Sequence, residues 1–190
     1  RQRYDFSQLM HVIVQVGNAL GYAHSAGVVH RDIKPDNVLI GPYGEVLLLD
    51  WGLAKVWHRE GAPAPTESNF PDLNIGAAMT NAGKLQGSVM YMSPEQIDRE
   101  PEIDSRSDIY SLGAVMYEAL TGRTPFTGQV VRKILEDVRD KVPDVPSHFG
   151  NLEVPEVLSE LTMSCLSKNP NDRPGSAEEV IRVIQHNWAS

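Results

Sequence analysis

The chain has 190 residues, of which 41% are hydrophobic and 22% are charged, and this composition is typical of one globular domain with its own core. Its formal net charge of -8 argues against nucleic acid or an anionic membrane surface as a partner, because both favour basic patches. The single cysteine, Cys165, excludes an internal disulfide and indicates a reducing, cytoplasmic location, and no apolar run approaches the ~20 residues that cross a bilayer, so direct membrane insertion is not expected.

The first predicted element is a helix that Ser7 caps and Gly27 terminates. It delivers the chain to His30. Its apolar side chains recur at helical spacing, at Leu9, Val12, Ile13, Val16, Leu20 and Ala23.

A β-hairpin is predicted next, with strands at 38–40 and 46–49 around a Gly-Pro-Tyr-Gly turn. We expect Ile40 to lie opposite Leu47, a register that also places Asn37 opposite Asp50. Directly opposed residues lie about 4.5 to 5.5 Å apart. An amide oxygen and a carboxylate projecting together from one end of the hairpin would suit Mg²⁺, which prefers oxygen ligands.

The remaining predicted elements are helices. Residues 108–121 are apolar on nearly every face, so this helix is expected to be buried centrally, and Gly122 and Pro125 end it. Further helices are predicted around 127–140, 155–167 and 176–187. The segment between Val56 and Gly83 is polar and rich in Gly and Pro, which predicts a long mobile loop.

Five motifs then resemble those of eukaryotic-type (Hanks-type) protein kinases. Residues 30–37 read HRDIKPDN and resemble the catalytic loop, and 50–52 read DWG and resemble the magnesium-binding Asp-Phe-Gly motif. The others are GSVMYMSPE at 87–95, similar to the substrate-binding loop, SDIYSLG at 107–113, similar to the start of the central helix, and NPNDRP at 169–174, similar to a late arginine-bearing loop. Their shared order makes a chance match negligible.

The resemblance implies an α+β fold, predominantly α, in which a helical bundle surrounds a buried central helix and a small β-hairpin lies at the catalytic site. The whole chain, 1–190, would be the C-terminal lobe of a kinase domain. Its activation segment would run over 53–93, with a flexible insert at about 57–83. A Gly-rich loop, a Val-Ala-Ile-Lys-like strand and a glutamate-bearing helix are missing from the sequence.

Three expectations follow from that gap. The N-terminal lobe of the same protein would be a partner, and the isolated chain would be inactive without it. The isolated lobe would also self-associate through the apolar face that carries Leu39, because that face normally meets the other lobe. A longer parent protein could carry a membrane tether elsewhere.

The family's catalytic residues map onto Asp32 and Lys34. Asp32 would accept the proton of the substrate hydroxyl, and Lys34 would place positive charge on the transferring phosphate. The structural alternatives are a loop carboxylate bonded to backbone and a solvated lysine. Lysine two residues after the aspartate is typical of Ser/Thr kinases.

Three further residues map onto the nucleotide site. Asn37 and Asp50 would hold the magnesium ions of ATP, and the alternative for both is turn capping. Leu39 matches the residue that floors the adenine pocket; otherwise it would be a core leucine. ATP and Mg²⁺ are thus the expected cofactors.

Five residues match structural positions of the family. His30 and Trp51 match two members of an apolar column that links the lobes. Asp108 matches the aspartate that braces the catalytic-loop backbone, with an N-cap as the equally weighted alternative. Glu95 and Arg173 are expected to form a buried ion pair.

Regulation and specificity rest on the same resemblance. Arg31 precedes the catalytic aspartate, an arrangement that lets a phosphate on the activation segment dock. Thr80 is the predicted acceptor, and Thr66 and Ser68 are weaker candidates. Ser88 matches a hydroxyl near Asp32 that marks Ser/Thr specificity.

The sequence therefore predicts a Ser/Thr protein kinase that transfers the γ-phosphate of ATP to protein Ser/Thr hydroxyls, including its own. MSPEQ at 92–96 favours a bacterial type. Two alternatives are a pseudokinase or scaffold that uses the fold for binding, and a small-molecule kinase. The intact catalytic residues argue against the first, and the peptide-positioning loop argues against the second.

Overall fold

The computed structural model describes residues 5–56, 87–148 and 154–188. The predicted insert at about 57–83, with Thr66, Ser68 and Thr80, lies outside the described residues. None of the helices in the described ranges is both long and apolar enough to cross a membrane.

Helices dominate the described residues. They are α1 (Phe6–Ser25), α2 (Pro94–Ile97), α3 (Ser105–Thr121), α4 (Val131–Asp140), α5 (Glu156–Cys165) and α6 (Ala177–Trp188). The strands are β1 (Val28–Val29), β2 (Val38–Ile40), β3 (Val46–Leu48) and β4 (Lys55–Val56). Single 3₁₀ turns occupy Pro35–Asn37, Trp51–Leu53, Pro146–His148 and Pro170–Asp172. The predicted α+β, mainly helical content is observed, and the later helices begin within four residues of the predicted positions.

Helix α1 starts earlier than its apolar pattern predicts. Asp5, and not Ser7, is its N-cap: the Asp5 carboxylate accepts from the Gln8 amide at 2.8 Å, and the Gln8 side chain accepts from the Asp5 amide at 2.9 Å. This reciprocal capping box satisfies two free amides of the first turn. At the other end Gly27 adopts φ +74°, as expected for a residue that terminates a helix in the left-handed region.

Helix α3 is the central helix of the fold, as predicted. An almost unbroken run of its residues is buried, from Ser107 to Tyr117, and it packs against α1 and α5. Its N-cap is Asp104, whose carboxylate accepts from the Arg106 amide at 2.8 Å. The N-cap alternative for Asp108 is therefore wrong, since that residue lies one turn inside the helix. Gly122, at φ +75°, ends α3.

The β2–β3 hairpin forms with a different register from the predicted one. Leu39 lies opposite Leu47 and Ile40 opposite Val46, so the prediction that pairs Ile40 with Leu47 is wrong by one residue. The cause is the turn. The Gly41 amide bonds to the Glu45 carbonyl at 2.8 Å, which encloses a three-residue loop whose last residue, Gly44, has φ +87°. The predicted register requires a loop with an even number of residues.

A second two-stranded sheet has no counterpart in the predictions. Strand β1 pairs antiparallel with β4, with Val28 opposite Val56 and Val29 opposite Lys55. Each strand has two residues, too short for an alternating pattern to be visible. This pairing ties the segment before the catalytic loop to the segment after the Asp-Trp-Gly motif.

Candidate active site

The catalytic-loop side chains converge on the carboxylate of Asp32. The Lys34 ammonium lies 2.6 Å from Asp32 Oδ2, and the Asn37 side-chain amide donates to the same oxygen at 3.0 Å and to the Asp32 carbonyl at 2.7 Å. Lys34 also donates to the Ser88 hydroxyl at 3.1 Å, which brings the substrate-binding loop to the site. Thus Asp32, Lys34, Asn37 and Ser88 form one cluster although Ser88 is distant in sequence.

The backbone of the loop is held from the central helix. The fully buried Asp108 carboxylate accepts from the His30 and Arg31 amides, both at 2.8 Å. Arg31 has φ +71°, a backbone conformation that residues other than glycine rarely adopt and that surrounding contacts must maintain. Asp108 therefore makes the contact expected of the aspartate that braces the catalytic loop, and one of its bonds is to Arg31, directly before Asp32.

His30 links the loop to the Asp-Trp-Gly segment. The amide N–H of Asp32 donates to His30 Nδ1 at 3.2 Å, and because an N–H can only donate, the proton of the neutral ring is on Nε2. That nitrogen donates to the Leu49 carbonyl at 3.0 Å. The Trp51 ring meets the His30 ring edge-on, with centroids 4.5 Å apart, so the two predicted column residues are in contact.

Asp50 is not opposite Asn37, contrary to the prediction. In the observed register Leu49 faces Asn37, and the Leu49 amide donates to the Asn37 carbonyl at 2.8 Å. Asp50 follows as an exposed residue at φ +61°, with its carboxylate 3.4 Å from the Gly52 amide. The amide and the carboxylate therefore stand at the same end of the hairpin but not as a cross-strand pair.

Leu39 lies on the outer face of the hairpin and not in a core. It is 50% exposed, and its cross-strand partner Leu47 is 51% exposed. The exposed apolar side chains continue onto Leu49, Trp51 and Leu53. We call this set of five the apolar face. It borders the catalytic loop, in the position where the resemblance places an adenine pocket and a second lobe.

The predicted pair of Glu95 and Arg173 is present and buried. The guanidinium donates two hydrogen bonds to the carboxylate, at 2.6 and 2.9 Å, and it also donates to the carbonyls of Ser167, Lys168 and Arg106. Burial acts to raise the pKa of Glu95, but the hydrogen bonds and charge of Arg173, with the Ser107 hydroxyl, outweigh it and lower the pKa overall.

Of the regulatory pair, the structure describes only Arg31. Its guanidinium is half-buried; this burial lowers its pKa, and the charge of Asp108 opposes that shift. Thr80 lies outside the described residues. The contact between Arg31 and a phosphorylated Thr80 stays a prediction.

Two residues that support the loop, one through Asp108 and one directly, were missed by sequence reasoning. His24 on α1 donates from Nε2 to Asp108 at 2.8 Å, and Gln96 on α2 donates to the Arg31 carbonyl at 2.7 Å. The only sequence signal for Gln96 is its spacing from Ser93, a capping-box pattern that predicts a helix start but not a contact with the loop. His24 shows no local signal, because its partner is 84 residues away.

A carboxylate held beside a lysine, next to an amide and a second carboxylate on one hairpin, is suited to moving a phosphoryl group to a hydroxyl. The protein kinase domain model matches residues 1–189. The chain belongs to the protein kinase family. In this family ATP and Mg²⁺ are the general cofactors.

The relatives that the chain resembles are bacterial Ser/Thr protein kinases. It is 42% identical over 183 residues to the Ser/Thr protein kinase PknD of Protochlamydia amoebophila, covering 94% of this chain and 18% of the relative. It is 35% identical to pkn3 of Myxococcus xanthus, covering 94% and 31%, and 38% identical to PknL of Mycobacterium tuberculosis, covering 87% and 37%. The chain thus spans about a fifth to a third of the length of these curated relatives. The predicted bacterial Ser/Thr kinase class is confirmed.

Proposed function

We propose that the protein containing this chain is a Ser/Thr protein kinase that transfers the γ-phosphate of ATP to Ser/Thr hydroxyls of proteins, including its own. The observation that carries this proposal is the cluster in which Lys34 and Asn37 both contact Asp32 Oδ2 and Lys34 also contacts Ser88. A protein that uses the fold only for binding would not require Lys34, Asn37 and Ser88 to gather around Asp32.

Asp32 is the proposed acceptor of the substrate's proton. Both side-chain contacts fall on Oδ2, so within the described part of the chain Oδ1 has no hydrogen bond. A substrate hydroxyl that donates to Oδ1 would have its oxygen oriented for in-line attack on the γ-phosphorus. Its proton would pass to the carboxylate as the new P–O bond forms and the bond from the γ-phosphorus to the ADP oxygen breaks, with ADP as the leaving group.

Lys34 is proposed to neutralise charge on the transferring phosphate. Its ammonium lies between Asp32 and Ser88, at 2.6 and 3.1 Å. Only 16% of its side chain is exposed, so its charge is screened less than that of a surface lysine. A hydroxyl bound beside Asp32 would therefore receive the phosphoryl group next to a fixed positive charge.

The residues at the hairpin end fit a magnesium–nucleotide complex. Two hydrogen bonds from Asn37 Nδ2 to Asp32 orient the Asn37 amide. They leave Asn37 Oδ1 without a partner among the described residues, and the Asp50 carboxylate is exposed. Hard oxygen ligands of this kind suit Mg²⁺, which would offset the negative charge of the ATP phosphates. Asn37 and Asp50 are the proposed ligands, and Leu39 the proposed contact of the adenine ring.

We also propose that residues 1–190 correspond to the C-terminal lobe of the kinase domain. Two observations support this. The sequence holds no Gly-rich loop or lysine-bearing strand, and the apolar face is exposed beside the catalytic loop.

The isolated chain would then bury the apolar face by self-association, and the double variant Leu39→Ser with Leu47→Ser would return it to a monomer in sedimentation equilibrium. A wild-type chain that is already monomeric at high concentration would contradict this.

The test of function is phosphate transfer by the full gene product that contains this chain. ATP labelled at the γ-phosphate is supplied with a generic basic protein, beside the Asp32→Asn variant. We expect transfer to the substrate and to the enzyme itself, lost in the variant, with labelled Ser or Thr on acid hydrolysis. Equal transfer by the variant would remove the role of Asp32. No transfer by either folded protein with ATP bound would favour a scaffold.

A further inference from the structure

Arg31, the residue before Asp32, has both of its backbone polar groups held by side chains. The Arg31 amide donates to Asp108 Oδ1 at 2.8 Å, and the Arg31 carbonyl accepts from Gln96 Nε2 at 2.7 Å. Arg31 itself has φ +71°. Since an unsupported non-glycine residue leaves this region readily, the two hydrogen bonds hold the conformation that sets where the Asp32 carboxylate lies. Asp108 belongs to the central helix, whereas Gln96 belongs to the helix that follows the substrate-binding loop.

The orientation of the Gln96 side chain is determined by its partners. Its Oε1 accepts from the Ser93 amide at 3.1 Å, and an N–H can only donate. Its Nε2 faces the Arg31 carbonyl, which can only accept. The residue is 7% exposed, so water has little access to replace these bonds. Gln96 thus connects the end of the substrate-binding loop to the catalytic loop through one rigid amide.

We propose that Gln96 is a positioning residue that couples the substrate-binding loop to the placement of Asp32. It touches no reacting atom. When the loop that ends at Ser93 adopts the observed conformation, Gln96 is presented to Arg31 and the Asp32 carboxylate is fixed for proton acceptance. This inference rests on the proposed kinase function, in which Asp32 accepts the substrate's proton.

Two substitutions separate the capping contact from the contact with Arg31. Gln96→Glu keeps an oxygen for the Ser93 amide but loses the N–H donor towards the Arg31 carbonyl. Gln96→Met keeps the length and loses the contact with Arg31 and the two contacts with Ser93, whose amide and hydroxyl donate to Gln96 Oε1 at 3.1 and 3.2 Å. A buried glutamate has a raised pKa, and its protonated form regains one donor, an O–H. The ratio of kcat for Gln96→Glu to wild type should therefore rise as pH falls from about 8 to about 6, whereas the ratio for Gln96→Met should stay flat.

The experiment uses the full gene product and two readouts. The first is steady-state kinetics, where we expect about a tenfold fall in kcat for both variants at pH about 8, with KM for ATP unchanged. The second is hydrogen exchange of the peptide that contains residues 30–32, which should become faster. Thr162→Val is the control: it removes a buried side-chain donor far from the loop, the Thr162 hydroxyl, 2.7 Å from the Leu158 carbonyl on α5, and both readouts should keep their wild-type values.

The outcomes distinguish this inference from the proposed function. Faster exchange with lower kcat and a pH-dependent recovery in Gln96→Glu alone supports the positioning role. Unchanged exchange, or unchanged kcat despite faster exchange, overturns it. If wild type and Asp32→Asn are equally inactive, the proposed function fails, and exchange alone then decides whether Gln96 holds the loop.

Discussion

The Arg173 guanidinium and the Glu95 carboxylate meet in parallel, with donor–acceptor distances of 2.6 and 2.9 Å. The Arg173 side chain has no solvent exposure, and that of Glu95 has 6%. The pair fastens the end of the substrate-binding loop to the loop at 169–174, so two motifs that are 78 residues apart in sequence are held together in the fold.

Arg173→Met is expected to destabilise the fold strongly. The substitution leaves the Glu95 carboxylate buried without its partner, a loss that costs about 3 to 5 kcal/mol. Urea unfolding followed by circular dichroism measures the change. The double variant Arg173→Met with Glu95→Met should recover part of it, because removing both charges avoids the unpaired one. A double variant less stable than Arg173→Met would contradict the explanation.

The same pair predicts how stability depends on acid. The folded-state pKa of Glu95 is lowered, so its contribution is complete above the unfolded pKa of about 4.3 and is lost as pH falls through the lower folded value. The free-energy difference between wild type and Glu95→Gln should therefore shrink as pH falls below about 4. Unfolding midpoints of both proteins at several acidic pH values test this. A difference that does not change with pH would exclude the linkage.

Lys34→Met should impair the chemical step more than nucleotide binding. Removing a fixed charge that acts on the developing phosphate charge lowers kcat by about 100-fold to 1,000-fold. KM for ATP should change little, because Asn37 and Asp50 remain. Lys34→Arg should not restore the rate, since a planar guanidinium does not reproduce a compact ammonium between Asp32 and Ser88. Wild-type kcat in Lys34→Met would remove the lysine from the mechanism.

Gly113→Ala tests the packing of the central helix. A Cβ atom at this position would lie 2.5 Å from Cys165 Cβ and 3.4 Å from the carbonyl carbon of the Cys165 backbone, which cannot rotate away. Overpacking of this kind costs about 1 to 3 kcal/mol and opposes the gain of about 1 kcal/mol in helix propensity. Gly17→Ala is the comparison, because the nearest atoms to its Cβ belong to side chains, Ile181 from 2.8 Å and Leu112 at 4.0 Å. Chemical denaturation should rank Gly113→Ala as the less stable variant.

The sequence predicts what local chemistry determines and misses what distant contacts determine. The central helix, the turn at Gly27 and the residues that gather around Asp32 follow from apolar spacing, glycine positions and the family motifs. The hairpin register does not, because a three-residue and a two-residue loop fit the same Gly-Pro-Tyr-Gly letters. The contact of His24 with Asp108 and that of Gln96 with Arg31 join residues 84 and 65 positions apart, and no local pattern encodes them.

The imidazole of His30 connects two parts of the site. One ring nitrogen accepts a hydrogen bond from the Asp32 amide, and the other donates a hydrogen bond to the Leu49 carbonyl. The ring therefore connects the proposed proton acceptor to the residue before Asp50. The position of the residue that accepts the substrate's proton and the position of the strand end that carries Asp50 therefore depend on the same ring.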